Sequence, residues 1–429
     1  MHYLIIGGCA AGLNGIEGIR KVDKEGDITL ISEEKYPPYA RCLITNYLIG
    51  THTEEDLLLR NKSYYEEMGV NLILGKKAGN LDTKNKKVVL SDGKEIFFDK
   101  LLIATGSLPQ KLECSGEEKQ GVFEFRNIQD VDNIKKTIEK CEKAFVFGGG
   151  LIGIKAAYGL KKIGVDVELI VKSSRLFSRF LNKSAADIIS DCIQKNGIKI
   201  TTGLAPVEVY GNKEMTGVKF DNGEEKKAQL GIIGKGVRAN ISSLNNTGLN
   251  LHWGVVADEY LKTNIDGIYA AGDVAETKDL ITGEYYINPL WMNAQEQGYV
   301  AGMNMAGEMK LYPGSIAGNS AEFFGLPVIS LGEVKKKEDV EIIEFNEEEK
   351  SIYKRFILKY NRLIGAVLLG EVEDAGVYLA LIRAKVNLQD YKDSLGKSWF
   401  NYGKIKEFIE TSDGFRESIS PEGEKIFFR

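Results

Sequence analysis

Two stretches of this chain are built to the same plan, and that plan admits few folds. Tyr3-Leu4-Ile5-Ile6 leads into Gly7-Gly8-Cys9-Ala10-Ala11-Gly12, then a helical stretch, then Asp27-Ile28-Thr29-Leu30-Ile31. Ala144-Phe145-Val146-Phe147 leads into Gly148-Gly149-Gly150-Leu151-Ile152-Gly153, then a helix through Lys162, then Val165 to Val171. Each reads strand, glycine turn, helix, strand, and closes in about 30 residues, the size of one βαβ unit. Short apolar strands of this kind suit a parallel sheet buried on both faces. The expected class is therefore α/β, with two Rossmann-like domains. The 429 residues leave room for more, since domains run to roughly 150 residues each.

A glycine turn between strand and helix lets the backbone approach a pyrophosphate, and the helix N-terminus adds free amides and a positive dipole end. Gly148-x-Gly150-x-x-Gly153 meets the full pattern. In the first loop Cys9 takes the slot of the middle glycine. An acid about 20 residues beyond such a loop normally binds the adenosine ribose. In the first unit that place falls to Glu33 or Glu34, with Glu33 favoured. In the second unit the strand runs out into Lys172-Ser173-Ser174-Arg175. No acid stands there, and Lys172 and Arg175 would attract a ribose 2′-phosphate, so the pattern leans towards NADPH over NADH.

Further strands are expected at Val88–Leu90, Leu101–Ala104 and Ile268–Ala271. Beyond about residue 312 the character changes. Residues 333–350 are dense in Lys and Glu, Phe356–Lys359 and Ile364–Leu369 flank Asn361-Arg362 as a hairpin, and 372–385 reads as a helix. This suggests a third domain of α+β type, ending in a tail rich in aromatics.

The net charge of −5 offers no positive field for a nucleic-acid backbone. No apolar run reaches the roughly 18 residues of a membrane span, and residues 3–6 are too short for the core of a signal peptide, so a cytoplasmic location is expected. Cys9, Cys42, Cys114, Cys141 and Cys192 form no CxxC pair, and three histidines leave little for metal chemistry, so no metal is expected.

Ala104-Thr105-Gly106-Ser107-Leu108-Pro109 resembles an ATGxxP motif, and Ile268-Tyr269-Ala270-Ala271-Gly272-Asp273 resembles an (I/V)YAxGD motif. With two nucleotide loops in this order, residues 1 to about 310 resemble the pyridine nucleotide-disulfide oxidoreductase superfamily, whose members carry two dinucleotide-binding domains. Ser32 to Gly50 looks closest to rubredoxin reductases and the NADH-binding part of large nitrite reductases. Residues 313–385 resemble the family's third domain only loosely. The resemblance implies FAD on residues 1–115 with 240–312, NAD(P) on 116–239, and an interface domain at 313–429. It implies that Gly7, Gly8 and Gly12 sit at the FAD pyrophosphate, that Arg41 lies near the flavin, that Thr105-Gly106 marks the crossing between domains, and that Asp273 meets the ribityl chain. Gly236, after Lys235, belongs to the same candidate site; the role of Lys235 stays open. Asn288-Pro289 reads as an N-cap and first helical residue, opening a helix through Leu290, Trp291, Ala294 and Gly298 that could aim its positive end at the flavin.

The departures narrow the chemistry. Disulfide reductases of the superfamily carry a CxxxxC near the first helix and a late histidine; here Cys9 stands alone and no histidine follows His252. Lys155 stands where the family usually has Glu. Cys42 falls where coenzyme A-disulfide reductases and NADH oxidases carry a redox cysteine, and Arg41 beside it could lower its pKa. Three functions remain. One is an FAD enzyme trading electrons between NAD(P)H and rubredoxin, ferredoxin or an iron–sulfur subunit. Another is a Cys42-dependent thiol, disulfide or peroxide reductase. The third is a non-catalytic subunit that keeps its flavin as a prop. The aromatics Trp399, Phe400, Tyr402, Phe408, Phe415, Phe427 and Phe428 suit either a partner interface, in a homo-oligomer or hetero-oligomer, or the completion of the third domain.

Overall fold

The computed structural model describes residues 1–400 apart from 179–180, 336–337 and 398–399. It divides into two compact units, Met1–Lys172 with Leu204–Ser315, and Ser173–Gly203 with the residues from Ile316 onward. Both glycine loops lie in the first unit. The three-domain division expected above stays a proposal.

The first unit holds two parallel sheets. In one, the order is Ile268–Ala270, Lys100–Ile103, His2–Ile6, Asp27–Ser32, Val70–Leu74. The other includes Asp166–Val171, Lys143–Phe147, Leu230–Ile233 and Val122–Glu124, in that order. Past their first residues the central strands are apolar, as strands covered on both faces are: Leu4, Ile5, Leu101, Leu102, Phe145 and Val146 are all fully buried. The expected strands are present, at Lys87–Leu90, Lys100–Ile103 and Ile268–Ala270. Each parallel sheet is accompanied by a three-stranded antiparallel meander, Ala78–Asp82 to Glu95–Phe97 in one half and Pro206–Tyr210 to Glu225–Lys227 in the other. The repeat seen in the glycine loops therefore extends over both halves.

Two long helices, Ala10–Val22 and Trp291–Met305, cross on glycine. A Cβ added at Gly298 would stand 2.1 Å from the Ala11 carbonyl oxygen, one at Gly302 2.2 Å from that of Gly15, and one at Gly18 2.1 Å from that of Tyr299. Backbone thus packs on backbone. The matched pairs, Ala11 with Gly298 and Gly15 with Gly302, advance together along both helices, so their N-termini face the same way.

In the second unit a five-stranded antiparallel sheet runs Gly318–Phe323, Leu326–Gly332, Arg362–Leu369, Ile352–Lys359, Glu341–Glu347. The expected hairpin is there, but its turn is Tyr360-Asn361, one residue earlier than Asn361-Arg362. Both turn residues have positive φ, 51° and 59°, as a two-residue turn matched to strand twist requires. The charged stretch supplies Glu341–Glu347, an edge strand, where charge discourages pairing with another chain. Helix Ala375–Ala384 places Tyr378 on Phe356, with ring centroids 4.7 Å apart, and Phe400 stacks on Tyr378 at 6.3 Å. Phe400 is fully buried, so this tail aromatic completes the domain; Trp399, Tyr402, Phe408, Phe415, Phe427 and Phe428 lie outside the described residues. Segment 173–203 joins this unit through Asn182, whose Nδ2 donates to the Tyr353 hydroxyl at 2.7 Å, and Cys192, whose thiol donates to the Phe323 carbonyl at 3.6 Å.

Because the helix crossing has no room for a β-carbon, Gly298→Ala is expected to cost about 3 kcal/mol in urea unfolding, the upper range for overpacking. Gly150→Ala, whose new methyl meets nothing within 4 Å, is expected to change stability by less than about 0.5 kcal/mol.

Candidate cofactor site

The first cradle is closed by two backbone contacts and one side-chain contact. Gly7 has φ 125°, and a Cβ there would lie 2.0 Å from the Ala104 carbonyl oxygen. A Cβ at Gly12 would lie 1.9 Å from the Gly7 carbonyl oxygen, and one at Gly8 3.0 Å from Ser32 Cβ. Cys9 is the N-cap of helix Ala10–Val22, yet its side chain does not cap it, and no acid sits in the first turn. The first amides of this 13-residue helix, at Ala10 and Ala11, are therefore left without a side-chain acceptor, as an anion site needs.

The second cradle repeats the first. Gly148 has φ 125°, and its Cβ would meet the Gly234 carbonyl oxygen at 2.3 Å. Gly153 closes on the Gly148 carbonyl at 2.0 Å, and Gly150 is the N-cap of helix Leu151–Lys162, again with no side-chain cap and no acid in the first turn. Ile152, on that first turn, is exposed. Gly234-Lys235-Gly236 thus plays against the second loop the part that Ala104-Thr105-Gly106 plays against the first. The two segments are tied together. Strand Ser107–Pro109 pairs with Val237–Ala239, Thr105 Oγ1 donates to the Asn240 carbonyl at 3.1 Å, and the Asn240 amide donates to the Gly106 carbonyl at 2.9 Å. Lys235, open in the sequence, has a structural part: its Nζ donates to the carbonyls of Lys111 and Leu112 at 2.9 and 3.0 Å.

Around the first cradle the charges are shared out unevenly. Glu34 is taken: Tyr39 donates to it at 2.6 Å and Arg41 forms an ion pair with it. Glu33, just past the strand end, stays about two-thirds exposed, with Lys77 3.8 Å away. The structure thereby separates the two carboxylates that the sequence left together: Glu34 is engaged, and Glu33 faces solvent beside Lys77. Arg41 also donates to the Arg126 carbonyl at 3.3 Å. Burial opposes its charge, and the neighbouring Cys9, Tyr39 and Glu34 side chains outweigh that and hold its pKa above the usual range.

Arg126 was not legible as a site residue. Its guanidinium is half-buried, and burial together with the charge of Arg41 depresses its pKa. Asp273, Cys9 and Glu34 act on it electrostatically, and no side-chain hydrogen bond from it occurs among the described residues. An orphaned guanidinium beside an uncapped helix N-terminus and a glycine cradle fits a diphosphate. Asp273 accepts a 2.6 Å hydrogen bond from Ser107, which fixes the carboxylate. Gly272, with φ 81°, donates its amide to Gln297 Oε1 at 2.8 Å, so buried Gln297 holds the Gly272-Asp273 turn. Ser107 and Gln297 were also missed; a polar residue on a buried helix face is the one signal that could have found Gln297.

The helix after Asn288 begins later than expected. Its N-cap is Leu290 and it runs Trp291–Met305, so Asn288 does not cap it and Pro289 is not its first residue. Asn288 is occupied elsewhere, donating to Ser315 Oγ at 2.6 Å and Asp279 at 3.2 Å. The helix still opens without a side-chain cap or an early acid, so its positive end is free.

Arg175 donates to the Leu181 carbonyl at 3.3 Å, whereas Lys172 is exposed at the end of strand Asp166–Val171. Cys42 is exposed, and burial of its thiol raises its pKa; the cation that opposes this is Lys155, not the expected Arg41, which is committed to Glu34. Among the described residues no cluster of three or more His, Cys, Asp or Glu could hold a metal ion, and no helix is long and apolar enough to cross a membrane.

Comparison with known proteins agrees with this geometry. Residues 319–386 match the Rubredoxin NAD+ reductase C-terminal domain, a closer likeness than the loose one expected. The chain is 31% identical over 391 residues to the Nitrite reductase [NAD(P)H] of Bacillus subtilis (strain 168), covering 91% of this chain and 48% of that one. It is 35% identical over 323 residues to the NADH oxidase of Methanocaldococcus jannaschii, covering 73% and 72%. The crystal structure of NADH:rubredoxin oxidoreductase from Clostridium acetobutylicum superposes with a TM-score of 0.75 at 26% identity, covering 95% of this chain and 99% of that one. The chain spans about half the length of two of the curated relatives it matches, 48% in each case. Residues 1–298 match the family described as Pyridine nucleotide-disulphide oxidoreductase, and with twin glycine cradles, two parallel sheets and the linking ribbon in place, this chain belongs to that family.

Proposed function

We propose that this chain is an FAD-dependent NAD(P)H oxidoreductase that passes electrons between the nicotinamide and a protein redox carrier, either rubredoxin, ferredoxin or an iron–sulfur subunit. The observation that carries the reading is the pair of matching cradles, each an uncapped helix N-terminus over a glycine turn, tied together by the ribbon of Ser107–Pro109 and Val237–Ala239. The carrier is supported by relatives named NADH-rubredoxin oxidoreductase and Assimilatory nitrate reductase electron transfer subunit. Assembly as a homo-oligomer or as a subunit of a larger complex belongs to the same proposal.

Bound FAD would supply the redox chemistry, because a flavin takes two electrons together and can release them singly. The chain's own residues do the holding. Gly7, Gly8 and Gly12 admit the diphosphate to the amides of Cys9, Ala10 and Ala11, Arg41 and Arg126 balance its charge, and Glu33 accepts from the adenosine ribose. Asp273, fixed by Ser107, accepts from the ribityl hydroxyls. The opening of helix Trp291–Met305, after Pro289 and Leu290, presents a positive end that favours an anionic ring. Gly148, Gly150 and Gly153 hold the NAD(P) diphosphate at the amides of Leu151 and Ile152, with Gly234 and Gly236 closing the loop. With Arg175 bonded to the Leu181 carbonyl, the preference for NADPH rests chiefly on Lys172.

A Cys42-dependent thiol or peroxide reductase is the second reading, favoured by the cation Lys155 that acts on that thiol. Anaerobic titration of the purified flavoprotein should bleach the flavin band with NADPH at lower concentration than with NADH; a clear NADH preference removes the role given to Lys172, and no bleaching with either removes the proposed activity. Cys42→Ser should leave both bleaching and reduction of rubredoxin within about twofold of wild type, and loss of turnover would install the second reading. Replacing Glu33 with Ala should weaken FAD retention on dilution about tenfold, in line with a lost charge-assisted hydrogen bond of roughly 1.5 kcal/mol.

A further inference from the structure

A cavity of about 390 Å³ opens in the first unit, lined by Asp258, Glu259, Lys278, Gly283, Tyr285 and Tyr312. None of these residues has a part in the cofactor site described above. The walls are tied together by hydrogen bonds. Asp258 and Glu259 lie just beyond strand Val255–Val256, and Asp258 Oδ1 fixes their turn by accepting from the amides of Tyr260 and Lys262, both at 2.9 Å. Lys278 and Tyr285 are paired across the antiparallel strands Ala275–Lys278 and Tyr285–Tyr286. The loop between them closes on Asp279, whose carboxylate accepts from the amides of Ile281 and Thr282. The segment around Tyr312 joins both walls: the Tyr312 amide donates to the Glu259 carbonyl at 2.7 Å, and the Ser315 amide to the Lys278 carbonyl at 2.9 Å. A hollow framed in this way is preorganised, and its volume falls in the range of small-molecule sites.

The lining selects a charge. Glu259 is exposed, and among the described residues its carboxylate forms no hydrogen bond or ion pair; Asp258 Oδ2 has none either. Tyr312 is 4% exposed and turns its hydroxyl inward, where Gln297 Nε2 donates to it at 3.3 Å, so its ring is what it offers the cavity. Tyr285 adds a half-exposed ring at the mouth. Two carboxylates beside two aromatic rings suit an organic cation, whose charge meets the carboxylates while its body lies on the rings. Lys278 is the only cation among the six lining residues, and it is exposed, so its ammonium stays in water at the rim.

One hydrogen bond separates the cavity from the residue that holds the Gly272-Asp273 turn. Gln297 is 2% exposed. Its Nε2 donates to the Tyr312 hydroxyl and to Thr277 Oγ1, both at 3.3 Å, and its Oε1 accepts from the Gly272 amide at 2.8 Å. Thr277 directly precedes Lys278 on the same strand. Two of the cavity's walls therefore converge on a single buried amide. A buried side chain engaged on every side passes a displacement of one partner to the others.

We propose that this cavity binds a small organic cation, an amine or guanidine, and that Tyr312 and Gln297 carry its occupancy to the Gly272-Asp273 turn, where it modulates the flavin. The binding stands on the cavity alone. The modulation rests on FAD lying at Asp273, as proposed above.

The test is isothermal calorimetry of the purified flavoprotein with agmatine, and with butyrate as the anionic control, beside a parallel titration that records the flavin difference spectrum. Agmatine should bind with a dissociation constant below about 1 mM, and butyrate should give no heat. Glu259→Gln should weaken agmatine about threefold or more, as loss of a surface ion pair does. Tyr285→Ala should weaken it about threefold by removing a cation–π contact, and Lys278→Met should tighten it by removing a like charge. Saturating agmatine should perturb the flavin band. Tyr312→Phe, which keeps the ring and deletes the hydroxyl, should hold agmatine within about threefold of wild type and lose that perturbation. The binding is overturned if agmatine gives no heat up to about 10 mM, or if Glu259→Gln and Tyr285→Ala both leave its affinity unchanged. The modulation is overturned if saturating agmatine leaves the flavin band unmoved, or if the perturbation survives in Tyr312→Phe. A protein that stays colourless when given FAD would overturn the FAD reading and the modulation together, and calorimetry would still decide whether the cavity takes agmatine.

Discussion

Backbone-on-backbone contact between helices Ala10–Val22 and Trp291–Met305 is the constraint from which the rest of the site follows. The two helices are more than 260 residues apart in the chain. They meet where Gly15, Gly18, Gly298 and Gly302 remove every intervening side chain. At that separation small shifts are not available, because the obstacle at Gly18, Gly298 and Gly302 is carbonyl oxygen, not a side chain that could turn away. The crossing sets the two helices parallel, so both N-termini face the same way, and neither carries a side-chain cap or an early acid. Two positive helix ends held together in this way have a use only when something negative lies against them.

The second consequence is a division of labour among charges that look equivalent in the sequence. Glu33 and Glu34 are neighbours, yet Tyr39 and Arg41 tie down one and leave the other exposed. Lys155, Lys172, Arg175 and Lys235 all follow the second glycine loop in the chain. Lys235 clamps the carbonyls of Lys111 and Leu112, Arg175 serves the Leu181 carbonyl, Lys172 stays exposed, and Lys155 acts electrostatically on Cys42. Each assignment depends on which neighbouring group is already satisfied, because a buried polar atom takes the nearest partner that pairs well.

The duplication runs deeper than the two glycine loops. Strand, glycine turn, helix, strand, meander, strand and a closing glycine recur in both halves. In each, the first loop glycine lies against a carbonyl just beyond the later strand, that of Ala104 in one half and Gly234 in the other. The closing segments differ in residue type, Ala104-Thr105-Gly106 against Gly234-Lys235-Gly236, which is why only the first stood out as a motif. The shared requirement is a backbone that can come within contact distance, and that leaves a weak mark on composition.

What the sequence determined by itself was whatever local chain geometry dictates. The apolar strands, the Gly7 to Gly12 and Gly148 to Gly153 turns, the helices that follow them and the hairpin of the second unit were all legible, because strand periodicity, glycine at positive φ and helix starts are set within a few residues. What only the tertiary structure decided was which polar groups are already engaged. Asn288 looks like a helix cap until Ser315 and Asp279 are seen to hold it, and Pro289 then falls two residues short of the helix. Arg126 carries no local signature, Ser107 sits inside a motif that does not show its partner, and Gln297 shows only as a polar residue on a buried helix face, yet all three stand around Asp273 and the first cradle. A hydrogen bond or an ion pair is satisfied only once, and the partner that satisfies it can come from anywhere in the chain.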